Sequence, residues 1–123
     1  MIFLIDFDQT LCDTDLLLGE AVPGAIDWTK HFQQTGVETI LWTNRVGPLL
    51  SLAVAWCKYH SLQFAAVNTS VHWYQRLFVS GPKPYFDHAI DDRNIGCPLI
   101  KRDGKKSIVD WSIAGPMADQ LLK

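Results

Sequence analysis

Residues 2–11 read IFLIDFDQTL, an unbroken apolar run that ends in two aspartates one residue apart. Ile2 to Ile5 has the pattern of a strand buried on both faces. A carboxylate at the end of such a strand must be paired, hydrogen-bonded or bound to metal, because an isolated buried charge costs several kcal/mol or more. Asp6 and Asp8, at i and i+2, can point to one side of an extended segment.

Three further runs resemble the first. ETILWT ends at Thr43, LQFAAVN spans 62–68, and HAI stands directly before Asp91 and Asp92. Helical spacing fills the intervals. Pro23 and Gly24 precede a helix carrying Ala25, Trp28, Thr29 and Phe32, with Gly36 as its stop. Pro48 opens a second helix whose apolar face is Leu49, Leu52, Ala53, Trp56 and Cys57. A short helix is expected within 71–79, closed by Ser80, Gly81 and Pro82. Residues 11–22 read as a loop or flap, and 93–107 as a basic loop containing Lys101, Arg102, Lys105 and Lys106. SIVDW (107–111) is a candidate fifth strand, and Pro116 is the expected start of a closing helix to Leu122. Strands alternating with helices predict a single α/β domain over 1–123, a three-layer sandwich with a central parallel sheet. Ligands bind such sheets beyond the carboxyl ends of the strands. Asp6, Thr43 and Asp91 all stand at strand ends.

Composition narrows the classes. The chain has 123 residues, 11 of its 13 acids are aspartate, and seven of those lie in 6–15 and 87–92. Glutamate, the better helix former, is the usual solubilising acid, so these carboxylates are not general surface charge. A net charge of -2 gives no bulk attraction for nucleic acid. No apolar run approaches the roughly 20 residues of a membrane span, and Asp6 interrupts the N-terminal run too early for a signal peptide. Cys12, Cys57 and Cys97 form no C-x-x-C pair, which argues against a disulfide framework or zinc site and for a reducing cytoplasm.

Bringing Asp91 and Asp92 beside Asp6 and Asp8 would crowd up to four carboxylates. Two like charges about 4 Å apart repel by roughly 4 kcal/mol at an effective dielectric of 20. Some must stay protonated, or a divalent cation must neutralise them, and an all-oxygen set with room for water suits Mg²⁺. Thr43 offers a hydroxyl and backbone N–H groups, and Lys83, eight residues before Asp91, is expected to bring an ammonium to the same rim. A cation, a hydroxyl and a metal around a carboxylate nucleophile form a cradle for a phosphoryl group.

These segments resemble the motifs of the haloacid dehalogenase (HAD) superfamily. IFLIDFDQTL is similar to its first motif, TILWTNR to its second, and KPYFDHAIDDRN to the third and fourth combined. The KPxxDxxIDDRN form is closest to small cap-less HAD phosphatases of bacteria and phages. The resemblance implies a HAD-like Rossmannoid fold and a Mg²⁺-dependent phosphomonoester hydrolase working through an aspartyl phosphate. It implies Asp6 as nucleophile and metal ligand, and Asp8 as general acid and base with its backbone carbonyl on the metal. Thr43, Asn44 and Lys83 would hold the phosphoryl group. Asp91 would bind metal, and Asp92 would orient the surrounding shell or reach the metal through water. Gln9 departs from the family, which usually has Gly there, and bears on flap geometry. Only 34 residues separate Asp8 from Thr43 and 39 separate Thr43 from Lys83, so no separate cap domain fits. A neighbouring subunit of a homo-oligomer could serve as one.

Bland readings stand beside these. Asp13 and Asp15 read as flap or turn residues, and His31, His60, His72 and His88 show no metal spacing. Trp28, Trp42, Trp56 and Trp111 fit the core. Trp73, Tyr74 and Phe78 could contact an oligomer or a substrate. Asn44 and Arg45 fit loop or substrate positioning equally. The basic run 101–106 reads as a solvated loop able to attract phosphorylated substrates. A phospho-receiver domain uses similar residues, but there the acidic pair comes first and the acceptor aspartate stands alone near mid-chain. A catalytically weak or inactive HAD-like binding or assembly protein is the other alternative. The expected partner is a small phosphorylated metabolite, with a nucleic-acid terminus or phosphoprotein still open.

Overall fold

A computed structural model describes residues 1–79 and 81–123. Its centre is a four-stranded parallel sheet in the order β5-β4-β1-β6. The strands are β1 (Ile2–Asp6), β4 (Glu38–Trp42), β5 (Ala66–Val67) and β6 (His88–Ile90). Asp6 is in register with Trp42, and Ile5 with Ile90, so β1, β4 and β6 end at one level. The chain steps from β1 through β4 to β5 and then returns to the far side of β1. That reversal opens a crevice between β1 and β6 at their carboxyl ends, the place where such sheets bind ligands.

Alternation along β1 sends Phe3 and Ile5 to one face and Ile2 to the other. The first face carries the main core, with helices α1 (Ala25–Gln34), α2 (Gly47–Tyr59) and α4 (Trp111–Gln120) contributing Phe32, Trp56 and Trp111 among others. Phe3 meets Phe32 edge-on at 5.2 Å. The second face is thinner. Ile2, Ile40 and Val71 are covered by Tyr74 and Phe86, and Tyr74 lies on the short helix α3 (His72–Leu77). The architecture is α/β with helices on both faces of a parallel sheet.

Several boundaries differ from the sequence reading. Only Ala66 and Val67 of the 62–68 run form strand, although Ala65 N–H and Asn68 N–H continue the bonding to β4 on either side. Leu49 and Leu52 of α2 are exposed, while Ala53, Trp56 and Cys57 are buried. Ser80, expected with Gly81 and Pro82 to close the third helix, lies outside the described residues.

The candidate fifth strand does not join the parallel sheet. It is β8 (Lys105–Val109), paired antiparallel with β7 (Leu99–Arg102) across an Asp103-Gly104 turn in which Gly104 has φ 68°. Asp-Gly between strand-forming residues is a hairpin signal, and here it prevails over the loop reading of 93–107. The expected flap is likewise a hairpin, β2 (Cys12–Thr14) with β3 (Gly19–Ala21). The closing helix begins at Trp111 and not at Pro116, because Asp110 caps it by accepting the Ser112 N–H at 3.1 Å and Trp111 is anchored in the core. Among the described residues no helix is long and apolar enough to cross a membrane.

Candidate functional site

The turn after β1 builds the site floor. Phe7 is fully buried, and its carbonyl accepts the N–H groups of Leu11 and Cys12 at 2.9 and 3.0 Å, folding 7–12 into one tight loop. Gln9 takes φ 65°, the left-handed region that glycine enters without cost. Its side-chain amide offsets that strain by donating to Asp13 Oδ1 (3.2 Å) and accepting the Thr14 N–H (3.1 Å). The departure at position 9 thus fastens the loop to β2.

Asp6, Asp91 and Asp92 each present a carboxylate oxygen, and all three oxygens lie within 4.8 Å of one another. Thr10, fully buried, links them: its hydroxyl donates to Asp6 Oδ2 (2.9 Å) and accepts the Asp92 N–H (3.2 Å). The Thr10 carbonyl accepts the Trp111 indole N–H at 2.8 Å, so the closing helix braces the same point. Burial first, then the Asp92 carboxyl and the Asp91 charge, push the Asp6 pKa up to about 8. Burial also raises Asp91, reinforced by Asp92 and only partly countered by the Arg93 N–H.

Asp8 faces a different environment. Burial pushes its carboxyl upward, but hydrogen bonds from Arg45 and Thr14 and the nearby charges of Arg45 and Lys106 outweigh that and hold it below the ordinary carboxylate value. Arg45 forks onto it, Nε donating to Oδ2 at 3.1 Å and Nη2 to Oδ1 at 2.8 Å, while the Thr14 hydroxyl donates to Oδ1 at 2.6 Å. Nη2 also donates to the Leu17 carbonyl at 2.6 Å, and the guanidinium stacks 4.9 Å from the Phe7 ring centroid. The Arg45 side chain is only 10% exposed. One guanidinium therefore joins Asp8, the loop after β4 and the tip of the β2–β3 hairpin.

Thr43 is buried at the end of β4. Its N–H is taken by Asn68 Oδ1 (2.8 Å), and its Oγ1 accepts the Arg45 N–H (3.1 Å). The expectation that the Thr43 N–H serves the rim is therefore corrected; its hydroxyl proton stays available to donate. Asn44 lines the cleft above the aspartates, together with Asp6, Asp8, Gln9, Trp42, Arg93 and Lys106. The cleft has a volume of about 280 Å³.

Lys83 is not among the residues brought together. It lies in a separate hollow with Tyr74, Pro84 and Phe86, its Nζ 5.7 Å from the Phe86 ring centroid. The reason is strand direction. Asp87 bonds Ile2 at the amino end of β1, its N–H donating to the Ile2 carbonyl and its carboxylate accepting the Ile2 N–H. Lys83 precedes Asp87 by four residues, at the sheet end opposite the aspartates. Trp42, expected in the core, is half-buried and faces the cleft. Asp13 pairs with Arg102 at 2.7 and 3.0 Å, so the basic run is not merely a solvated loop.

Thr14 carries no motif signal of its own, and Lys106 stands out in the sequence only as one of the basic residues of 101–106. Chemically, the site offers a half-buried carboxylate against two further acids, a second carboxylate held below its ordinary value by an arginine, a buried hydroxyl, and cations on the rim.

No protein-family model matches the chain, and no curated protein does. A conserved protein coded by a locus of Bacteroides thetaiotaomicron has a solved structure similar to this one. The two share 33% sequence identity over 98% of this chain and 91% of that one, with a TM-score of 0.78.

Proposed function

This chain belongs to the family of that conserved Bacteroides thetaiotaomicron protein, and we propose that it is a Mg²⁺-dependent phosphomonoesterase of the HAD type, forming an aspartyl phosphate on Asp6. The observation that carries the reading is the division of labour among the acids. Asp6, Asp91 and Asp92 are crowded and the first two are pushed upward, while Asp8, two residues from Asp6, is oriented by Arg45 and held below the ordinary carboxylate value. Two carboxylates two residues apart, one beside further acids and one oriented by an arginine, can divide nucleophile and proton-transfer roles between them.

Three carboxylate oxygens within 4.8 Å fit a hard divalent cation. Asp6, Asp91 and Asp92 would hold it, and when bound it supplies neutralisation of phosphoryl and carboxylate charge. An Asp6 oxygen attacks phosphorus, and the Asp6–phosphorus bond forms as the bond to the leaving oxygen breaks. Asp8, taking up a proton against the pull of Arg45, gives it to that oxygen and then takes one from the water that hydrolyses the acyl phosphate. Thr43 and Asn44 orient the phosphoryl oxygens, and the Thr10 hydroxyl fixes the direction of Asp6. The only element inserted between Asp8 and α1 is the β2–β3 hairpin, which suits a small phosphorylated metabolite and leaves a nucleic-acid end or phosphoprotein sterically open.

A phosphate-release screen over sugar phosphates, nucleotides, phosphorylated oligonucleotide ends and phosphopeptides tests the reading. Turnover should require Mg²⁺ and vanish with chelator; metal binding without release from any class would leave an inactive binding protein instead. Arg45→Met should lower kcat by about 10²-fold, in the range of general acid–base contributions, because Asp8 loses both bonds that fix it. The loss should be larger for alkyl than for aryl phosphates, whose leaving group needs no proton. Equal losses on both would remove Arg45 from the acid–base machinery.

A further inference from the structure

We propose that Lys106, on the β7–β8 hairpin, is the cation that meets the phosphoryl group in this protein, a role that motif spacing gives to Lys83. The inference rests on the phosphatase reading and assigns a binding residue within it. Phosphoryl transfer needs positive charge against the equatorial oxygens. Of the cleft-lining residues, only Arg93 and Lys106 carry cationic side chains, and Arg45 beside them is committed to Asp8. Lys83 is excluded by position, since it lies at the other end of the sheet over Phe86.

Lys106 has the more constrained backbone of the two. Its carbonyl accepts Nε and Nη2 of Arg102 at 3.0 and 2.6 Å, and the same guanidinium grips Asp13 at 2.7 and 3.0 Å. Asp13 accepts from Gln9, and the Gln9 carbonyl accepts the Val109 N–H at 3.0 Å. A closed chain of contacts thus runs from the Asp6–Asp8 loop through β2 and Arg102 to Lys106 and back along β8. The Lys106 ammonium forms no ion pair among the described residues, and Lys106 lines the cleft together with Asp6 and Asp8. It is a cation set at the cleft and uncommitted to any protein carboxylate. Arg93, exposed like Lys106, lies in the turn after β6 with its N–H on Asp91 Oδ1 at 2.9 Å, whereas Lys106 is carried on a paired strand.

Lys106→Ala, Lys83→Ala, Arg93→Ala and Lys106→Arg, each checked for an unchanged melting temperature, test the assignment. Two measurements are needed: kcat/KM for the best substrate, and calorimetric binding of inorganic phosphate with Mg²⁺ present. Lys106→Ala should lower kcat/KM by about 100-fold, as removal of one transition-state charge contact does, and weaken phosphate binding at least about tenfold. Lys106→Arg should recover part of both, and Lys83→Ala should stay within about twofold of the parent. A loss from Lys83→Ala or Arg93→Ala that equals or exceeds that from Lys106→Ala overturns the assignment while leaving the phosphatase intact. A parent protein that neither hydrolyses any phosphomonoester nor binds phosphate overturns the phosphatase reading and this assignment with it.

Discussion

Asp6→Asn should abolish phosphate release, by at least about 10⁴-fold as for other nucleophile deletions, and should make the metal-free protein more stable at pH 8. The two effects share one cause. In the folded protein Asp6 holds its proton up to a pKa of about 8, against 3.8 when exposed, because burial, then Asp92 and Asp91, disfavour its charge. Between pH 4 and pH 8 the folded state therefore binds a proton that the unfolded chain has released. Unfolding free energy falls as pH rises through that window. Asp91, also raised, adds to the same slope. Asp8 is lowered and acts with the opposite sign, gaining stability as pH rises, but only below its ordinary value near 4.

Asparagine keeps the shape and can still accept the Thr10 hydroxyl bond, yet carries no charge. Metal-free Asp6→Asn should show a melting temperature that falls less than the parent's from pH 5 to pH 8 and stands several degrees above it at pH 8. Mg²⁺ should raise the parent's melting temperature at pH 8 more than at pH 5, where protons compete for the same oxygens. Scanning calorimetry of both proteins across this range, with and without Mg²⁺, reads all of it. A parent whose metal-free stability rises from pH 5 to pH 8 would contradict the crowding at Asp6.

Gly115→Ala should cost about 2–3 kcal/mol, an overpacking penalty, and lower the melting temperature by on the order of 10 °C. Alanine is the better helix former by about 1 kcal/mol, and position 115 is inside α4, so propensity alone predicts a gain. Geometry reverses the sign. A β-carbon at 115 would lie 2.2–2.4 Å from Cε2, Cδ2 and Nε1 of Trp28. Those are ring atoms of an indole that itself packs 5.9 Å from Phe32 and edge-on to His31 at 5.6 Å. The ring cannot bend away as a flexible chain end could; α1 and α4 would have to separate. Thermal denaturation of the variant gives the sign directly, and Trp28→Leu in the same background should recover part of the loss. A more stable Gly115→Ala protein would mean the α1–α4 contact is looser than the Trp28 position requires.

The sheet was legible in the sequence because its strands are dominated by apolar residues. IFLI, TILW and HAI are continuous, and each stops at the residue that the site then uses or lies beside. The reversal of strand order places Asp6 next to Asp91 and Asp92, as the motif order implied. Three features were harder to read. Lys83 matched a motif by spacing, but the chain passes the amino end of β1 at Asp87 and only then runs along β6 to Asp91, which leaves Lys83 away from the rim. The Asp103-Gly104 turn was readable as a hairpin and was outweighed by the surrounding lysines and prolines. Arg45 and Thr14 act on Asp8 through tertiary contacts, for which a single sequence carries no periodic signal.

The salt link between Asp13 and Arg102 has a further meaning for how the molecule comes apart. Both hairpins that wall the cleft stand outside the central sheet, and water still reaches the Asp13–Arg102 pair that links them, whose side chains are 33% and 21% exposed. Exposed ion pairs contribute little and weaken as ionic strength screens them over about 8 Å. The strands and three long helices that carry the core do not depend on that pair. The cleft walls are therefore able to loosen from each other in concentrated salt, while Cys12, Ile108 and Val109 stay anchored in the core and the sheet beneath keeps its aspartates in register.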